Sequence, residues 1–170
     1  MTEHHNTNND FESGMREFAK ARYDKCIELF TRAIENGSDN ALAMVSRGAA
    51  HFKQDQLDQA WDDFDRVVKM DPGYARAYHM RGLVNERRGD DLAALADFDR
   101  AIELNPEYGA AYYSRATLHT KLSNTDKAQD DIQTVTFLGN RNLESFMADN
   151  NVWHSQHMRV EDYLETELDR

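Results

Sequence analysis

"ARAYHMRGLVNERRGDDLAALADFDRAIELNP", Ala75–Pro106, is the stretch whose reading decides the fold. Its first half sets Tyr78, Gly82 and Asn85 along one stripe at helical spacing. Its second half does the same with Leu95, Phe98, Ala101 and Ile102. Between them Gly89 supplies a C-terminal stop and Asp90 an N-cap, and Pro106 ends the second helix. Each half predicts a helix of about 14 residues, roughly 21 Å long at 1.5 Å per residue. Small residues at Gly82 and Ala94 let the two backbones approach, and Phe98 fills the space beside them. One residue does not suit an apolar face: Arg81, beside Gly82 at the centre of the buried stripe.

The stretch repeats. Steps of 34 residues from Gly82 place Gly14, Gly48 and Ala116 in the same slot. Twelve residues later come Cys26, Ala60, Ala94 and Ala128, and four beyond those Phe30, Phe64, Phe98 and Ile132. Ala33, Val67, Ala101 and Val135 follow, and the last slot holds Ser38, Pro72, Pro106 and Asn140. Four copies register without insertion or deletion. A period of this length means stacked supersecondary units, none of which can bury its apolar face alone. The expected architecture is all-α, with Ile132 taking the large core position of the fourth copy.

The repeat also accounts for the arginine. Sixteen residues after Arg47, Arg81 and Arg115 stand Asp63, Asp97 and Asp131. The first copy has Ser13 and Leu29 in these slots, so the partners are present together or absent together. The pattern predicts a largely buried Arg–Asp pair bridging the two helices of a unit. Its role is helix register, because a buried ion pair is weak evidence for net stability.

Composition narrows function. The chain has 170 residues, enough for one domain or one short repeat array, and 40% are hydrophobic. A net charge of −11 opposes nucleic-acid binding, which needs clustered Lys and Arg, and opposes binding to anionic membrane surfaces. No apolar run approaches membrane-spanning length, and "MTEHHNTNND" carries no signal-like apolar region, so a cytoplasmic setting is expected. The single cysteine, Cys26, excludes a disulfide within the chain and reads as a small core residue.

The combination of an aromatic residue, Gly, Ala-x3-Phe and Pro over 34 residues resembles the tetratricopeptide repeat. Copies then span 7–40, 41–74, 75–108 and 109–142, after a polar extension at 1–9 and before a C-terminal segment at 143–170. The resemblance implies a right-handed superhelical α-solenoid of antiparallel helix pairs whose first helices line a concave, peptide-binding face. Departures from the pattern include the arginines in a slot that usually holds Leu, and Glu17, His51, Asn85 and His119 in one that usually holds Tyr.

Carried over position by position, the resemblance implies groove residues Phe11, Met15 and Phe18 in the first copy. The second contributes Leu42, Val45, Phe52 and Lys53. The third contributes Arg76, His79, Leu83, Glu86 and Arg87, and the fourth Tyr113, Thr117, Thr120 and Lys121. Half of this groove is apolar and half is polar with a positive bias. Asp58, Asp62, Asp65, Asp99 and Asp130 are expected on the outer face. Relatives that clamp the C-terminal carboxylate of heat-shock chaperones use Lys, Asn and Arg at positions that here hold Phe11, Met15, Ser46, Arg76 and Met80. Only Arg76 fits, so the implied ligand is an amphipathic segment whose carboxylates meet Arg76, Arg87 and Lys121.

In the C-terminal segment Leu143, Phe146 and Met147 are suited to cap the last repeat, as one helix or as part of two that break at Asn150-Asn151. The acidic, apolar tail from Glu161 to Arg170 complements the groove and is a candidate for docking on the groove or on another copy of the chain. His154, His157 and Glu161 share a helical face, but structural zinc needs four ligands, so no metal and no cofactor is expected. No phosphate loop, nucleophile triad or carboxylate pair stands out. The reading is a non-catalytic adaptor for a protein or peptide partner. A chaperone for an apolar client segment and a self-assembling scaffold are the alternatives.

Overall fold

A computed structural model describes residues 7–37 and 40–149. Eight helices follow one another among them. They are α1 (Thr7–Ala19), α2 (Tyr23–Glu35), α3 (Asn40–Lys53), α4 (Leu57–Met70), α5 (Ala75–Arg88), α6 (Asp91–Leu104), α7 (Gly109–Lys121) and α8 (Thr125–Asp149). None is long and apolar enough to cross a membrane. Each packs on the next along the chain, giving four antiparallel pairs. The first helices of successive pairs also touch, α1 with α3, α3 with α5 and α5 with α7. The second helices make no comparable contact among the described residues, so the stack curves toward the first helices.

The turn inside each pair is built four times in the same way. Ala21, Asp55, Gly89 and Ser123 take positive φ values of 55°, 61°, 83° and 61°. The next amide donates back to a carbonyl five residues earlier: Arg22 to Glu17, Gln56 to His51, Asp90 to Asn85, and Asn124 to His119, at 2.8–3.0 Å. This left-handed closure satisfies carbonyls that the helix end would leave bare. Only Gly89 adopts it without a Cβ penalty. The turns between pairs differ. Asp71 and Asn105, each before a proline, accept backbone N–H bonds from Gly73 and Glu107 through their side chains at 2.9 and 3.0 Å.

Packing within a pair depends on a ring lying against a helix that lacks a side chain. Phe30, Phe64 and Phe98 are fully buried. A Cβ added at Gly14, Gly48 or Gly82 would lie 2.6–2.7 Å from the facing ring. Cys26, Ala60 and Ala94 are likewise fully buried and complete the close approach.

The fourth pair departs from the expected pattern. Ile132, assigned to the same core slot as the phenylalanines, is 45% exposed. A following first helix would have covered it, but α8 continues unbroken past residue 142 to Asp149. The expected start of a separate cap at 143 is therefore mid-helix. The side chains of Leu143, Phe146 and Met147, and the whole of the 150–170 tail with His154, His157 and Glu161, lie outside the described residues.

Two substitutions test this account by urea unfolding. Gly82→Ala drives a methyl into Phe98 and should lower stability by about 1–3 kcal/mol. Ala21→Gly removes a left-handed penalty at an exposed turn and should raise stability by up to about 1 kcal/mol.

Candidate functional site

The first helices carry the residues assigned to a groove, and the structure sorts them. Met15 and Tyr113 are 46% and 59% exposed. Lys53, Arg76, Arg87, Thr117, Thr120 and Lys121 are also exposed. Phe11, Phe18, Leu42, Phe52, Leu83 and Glu86 are half-buried. Burial holds the Glu86 carboxyl above its usual range.

Val45 and His79 do not belong to an open groove, contrary to the sequence-based assignment. Val45 is 1% exposed, packed in the cluster of Phe64, Val67 and Ala77. His79 is 6% exposed, with its ring nitrogens 3.0 Å from the Tyr108 hydroxyl and 2.9 Å from Ser114 Oγ. Both occupy the fifth position of their copies, which turns toward the next helix pair. His79 thereby ties the third copy to the fourth.

The cations are not equally free. Arg87 pairs with Asp55 at 3.3 Å, and its guanidinium lies 5.5 Å from the Phe52 ring. Lys121 pairs with Asp91 at 2.7 Å. Arg76 makes no ion pair among the described residues. The aromatic residues of the first copy are engaged with one another, Phe11 with Phe30 at 5.6 Å and Phe18 edge-on to Tyr23 at 5.5 Å.

The arginines beside the glycine slot point elsewhere. Arg47 donates from Nε and Nη2 to Asp63 at 2.9 and 2.6 Å. Arg81 does the same to Asp97 at 3.0 and 2.6 Å, and Arg115 to Asp131 at 2.9 and 2.6 Å. Each keeps a third donor, Nη1, for the preceding helix pair. That donor reaches Thr31 at 3.0 Å, Asp65 at 2.8 Å and Asp99 at 2.6 Å respectively.

Asp65, expected on the outer face, is therefore buried at 8% exposure because Arg81 draws it in. Sequence reasoning missed this second set of acceptors. The signal was present: each arginine stands sixteen residues after one acceptor and sixteen before another.

The slot of Glu17, His51, Asn85 and His119 is solved differently in every copy. Glu17 collects Lys20 at 3.0 Å and Arg22 at 3.2 Å, and these partners hold its carboxyl below the usual range against the opposing effect of burial. His51 Nδ1 meets Gln56 Oε1 at 2.6 Å. Asn85 donates to Asp97 and accepts from the Trp61 indole at 3.0 Å. His119 Nδ1 is buried without a partner among the described residues.

Cys26 is fully buried and donates to the Tyr23 carbonyl at 3.1 Å, and burial pushes its thiol up. Among the described residues no group of acidic, His or Cys side chains could hold a metal ion.

Family models described as tetratricopeptide repeat match residues 11–75, 53–108 and 98–130. The chain belongs to the tetratricopeptide repeat family. No significant match to a curated protein sequence was found.

Solved tetratricopeptide structures share the fold. A crystal structure of MamA is 21% identical with a TM-score of 0.72, covering 82% of this chain and 81% of that one. TTC0263 from Thermus thermophilus, a thermophilic repeat protein, is 22% identical with a TM-score of 0.69, covering 78% and 74%. The first repeat domain of Spaghetti (RPAP3), solved with the HSP90 peptide SRMEEVD, is 23% identical with a TM-score of 0.65, covering 69% and 93%. At these identities the likeness concerns the fold. Membership of the family makes the chain a protein-interaction module in general terms.

Exposure decides what each ion pair contributes. The Asp97 side chain is 7% exposed and accepts from both Arg81 and Asn85. Asp97→Ala should cost about 3–5 kcal/mol in urea unfolding, because two Arg81 donors and the Asn85 amide lose a buried acceptor and Asp65 alone is left to face the guanidinium. Asp99, with its side chain 54% exposed, makes an equally short bond, yet Asp99→Ala should cost under about 1 kcal/mol.

The His79 linkage is pH-sensitive. Burial, aided by the Arg76 charge, lowers its pKa from 6.5 to about 4. The unfolded chain therefore binds the proton first. The contribution is complete above pH 6.5 and is lost as pH falls toward 4. Between pH 7 and 4 the parent chain should lose about 3 kcal/mol more than His79→Gln, read from unfolding midpoints at each pH.

Proposed function

We propose that the chain is a non-catalytic adaptor that holds a peptide segment of a partner protein along the face of its first helices. The observation that carries this reading is the exposure of Met15 and Tyr113 on first helices that touch in succession, Tyr113 because no following pair covers its position, with an exposed Arg76 on the third of these helices that makes no ion pair among the described residues. Half-buried Phe11, Leu42, Phe52 and Leu83 extend the apolar part of that face. Exposed apolar side chains gathered on one face mark interaction surfaces. Peptide grooves take their affinity from such anchors and their orientation from a few charges. The first repeat domain of RPAP3, which shares the fold, is solved bound to an HSP90 peptide.

The partner segment is amphipathic, with carboxylates directed at Arg76. Arg87 and Lys121 join it by exchanging their internal partners, Asp55 and Asp91. The Arg87–Asp55 pair is solvent-exposed on both sides, so giving it up costs little. A terminal-carboxylate clamp is not the mode, because of the clamp positions only Arg76 carries a suitable side chain.

The test uses peptides selected for binding from a displayed random library. Met15→Ala, Tyr113→Ala and Arg76→Glu alter exposed side chains and leave the core intact. Combined, they should weaken the selected peptides at least tenfold by calorimetry. Selected peptides should carry Asp or Glu beside an apolar pair. Undiminished binding by the triple variant removes the groove from consideration.

A further inference from the structure

The edge that carries the turns inside the pairs is bridged at two junctions and differs at the third. Three slots build it: the second residue of a second helix, the residue three further on, and the residue at the end of the next first helix. At the first junction they hold Asp24, Ile27 and Gln54, and the Gln54 amide donates to Asp24 at 2.7 Å. At the second they hold Asp58, Trp61 and Arg88. Arg88 pairs with Asp58, donates to the Leu57 carbonyl at 3.1 Å, and sets its guanidinium carbon 5.7 Å from the Trp61 ring. Both junctions join their outer slots by a polar bridge.

At the third junction all three slots are leucine: Leu92, Leu95 and Leu122. Apolar side chains cannot form the bridge. The tie between the copies moves one residue back on each side, to Asp91 and Lys121 at 2.7 Å. Leu92 is left 80% exposed and Leu122 37% exposed, while Leu95 is half-buried. Single surface leucines need no explanation, but three in adjoining slots make an apolar patch.

The patch opens into a recess. Leu95 lines a cavity of about 320 Å³ together with Asp99, Arg115, Lys127, Asp130 and Asp131. That volume is at the lower end of the range that ligand pockets span. Lys127 also borders a neighbouring recess of about 410 Å³ along Ser123–Lys127, which includes Asp126. Charge is unevenly matched here. Arg115 is engaged by Asp99 and Asp131 at 2.6 Å each. Asp126 and Asp130 make no ion pair among the described residues, and Lys127 is the one remaining cation that lines the two recesses.

We propose that this edge docks a segment of a different protein in which a large apolar side chain lies beside lysine or arginine. The apolar side chain enters the cavity against Leu95, flanked by Leu92 and Leu122. The cations meet Asp126 and Asp130. Charge selects this occupant over the two that the chain itself could supply. Its own 150–170 segment has five carboxylate side chains against two arginines, and a second copy brings the same −11 charge. The site is built on second helices and turns, apart from the residues of the proposed groove, and takes a ligand of the opposite charge.

The probes are peptides selected from a displayed random library on the chain carrying Met15→Ala, Tyr113→Ala and Arg76→Glu. The first-helix face is disabled in that chain, so the outcome does not depend on the groove. Selected peptides should set Leu, Phe or Trp beside Lys or Arg. Their nitrogen–proton NMR shifts should concentrate at Leu92, Leu95, Leu122 and Lys127. Leu92→Asp with Leu122→Arg rebuilds the Asp58–Arg88 bridge and should weaken the peptides at least about tenfold by calorimetry. Leu92→Asp alone changes one exposed side chain, keeps the fold, and should weaken them in the same direction. Asp126→Asn with Asp130→Asn should weaken them about threefold at low salt and less at high salt.

A selection that yields no peptide, or peptides that Leu92→Asp leaves at full affinity, overturns the site. Acidic selected peptides overturn the assigned chemistry. Sedimentation equilibrium of the parent chain tests the second copy: self-association that Leu92→Asp abolishes gives the edge to that copy and overturns the partner assignment. In a monomeric chain, NMR shifts that Leu92→Asp produces within residues 150–170 give the edge to the tail and overturn it equally.

Discussion

Each of Arg47, Arg81 and Arg115 presents two donors to an aspartate of its own helix pair and a third to the pair before it. A planar guanidinium offers these donors in a fixed fork, so meeting both acceptors leaves little freedom in how one pair sits on the next. Burying the charge has a desolvation cost that only good geometry offsets. The arrangement therefore acts as a register device. The apolar burial of Phe30, Phe64 and Phe98 drives association of the helices, and the arginines decide the alignment in which they associate.

The ladder also defines where the array stops. After Arg115 and Asp131, the slot that would reach forward holds Gln133, and the position for a further arginine holds Asp149. With no fifth arginine and no fifth first helix among the described residues, α8 runs straight on and Ile132 remains half-exposed. At the other end the first copy has neither the arginine nor its aspartate. Glu17 with Lys20 and Arg22 forms a separate local cluster there.

The repeats divide labour between backbone and side chain. Four left-handed turns and three glycine–phenylalanine contacts recur almost unchanged. The polar slot just before each turn is the exception. It is Glu, His, Asn and His in succession: Glu17 and His51 bond within their own copies, Asn85 reaches Trp61 of the preceding one, and His119 Nδ1 has no partner among the described residues. Variation at one slot on a constant frame is how a stack of equal units acquires unequal surfaces.

The period, the two helices per copy and the glycine–phenylalanine core were legible in the sequence, since each depends on residue size and spacing within about thirty residues. The sixteen-residue Arg–Asp interval was legible for the same reason. Burial between copies was not. Val45 and His79 occupy the same helical position as residues assigned to a surface, and only the rotation of each helix against the next pair turned them inward. Asp65 read as one more outer-face acid until the arginine of the following copy was seen to claim it. Local spacing thus determined which units form and what holds each one together. The tertiary structure decided which side chains remain available, because that depends on distances between units that a repeating sequence does not encode one residue at a time.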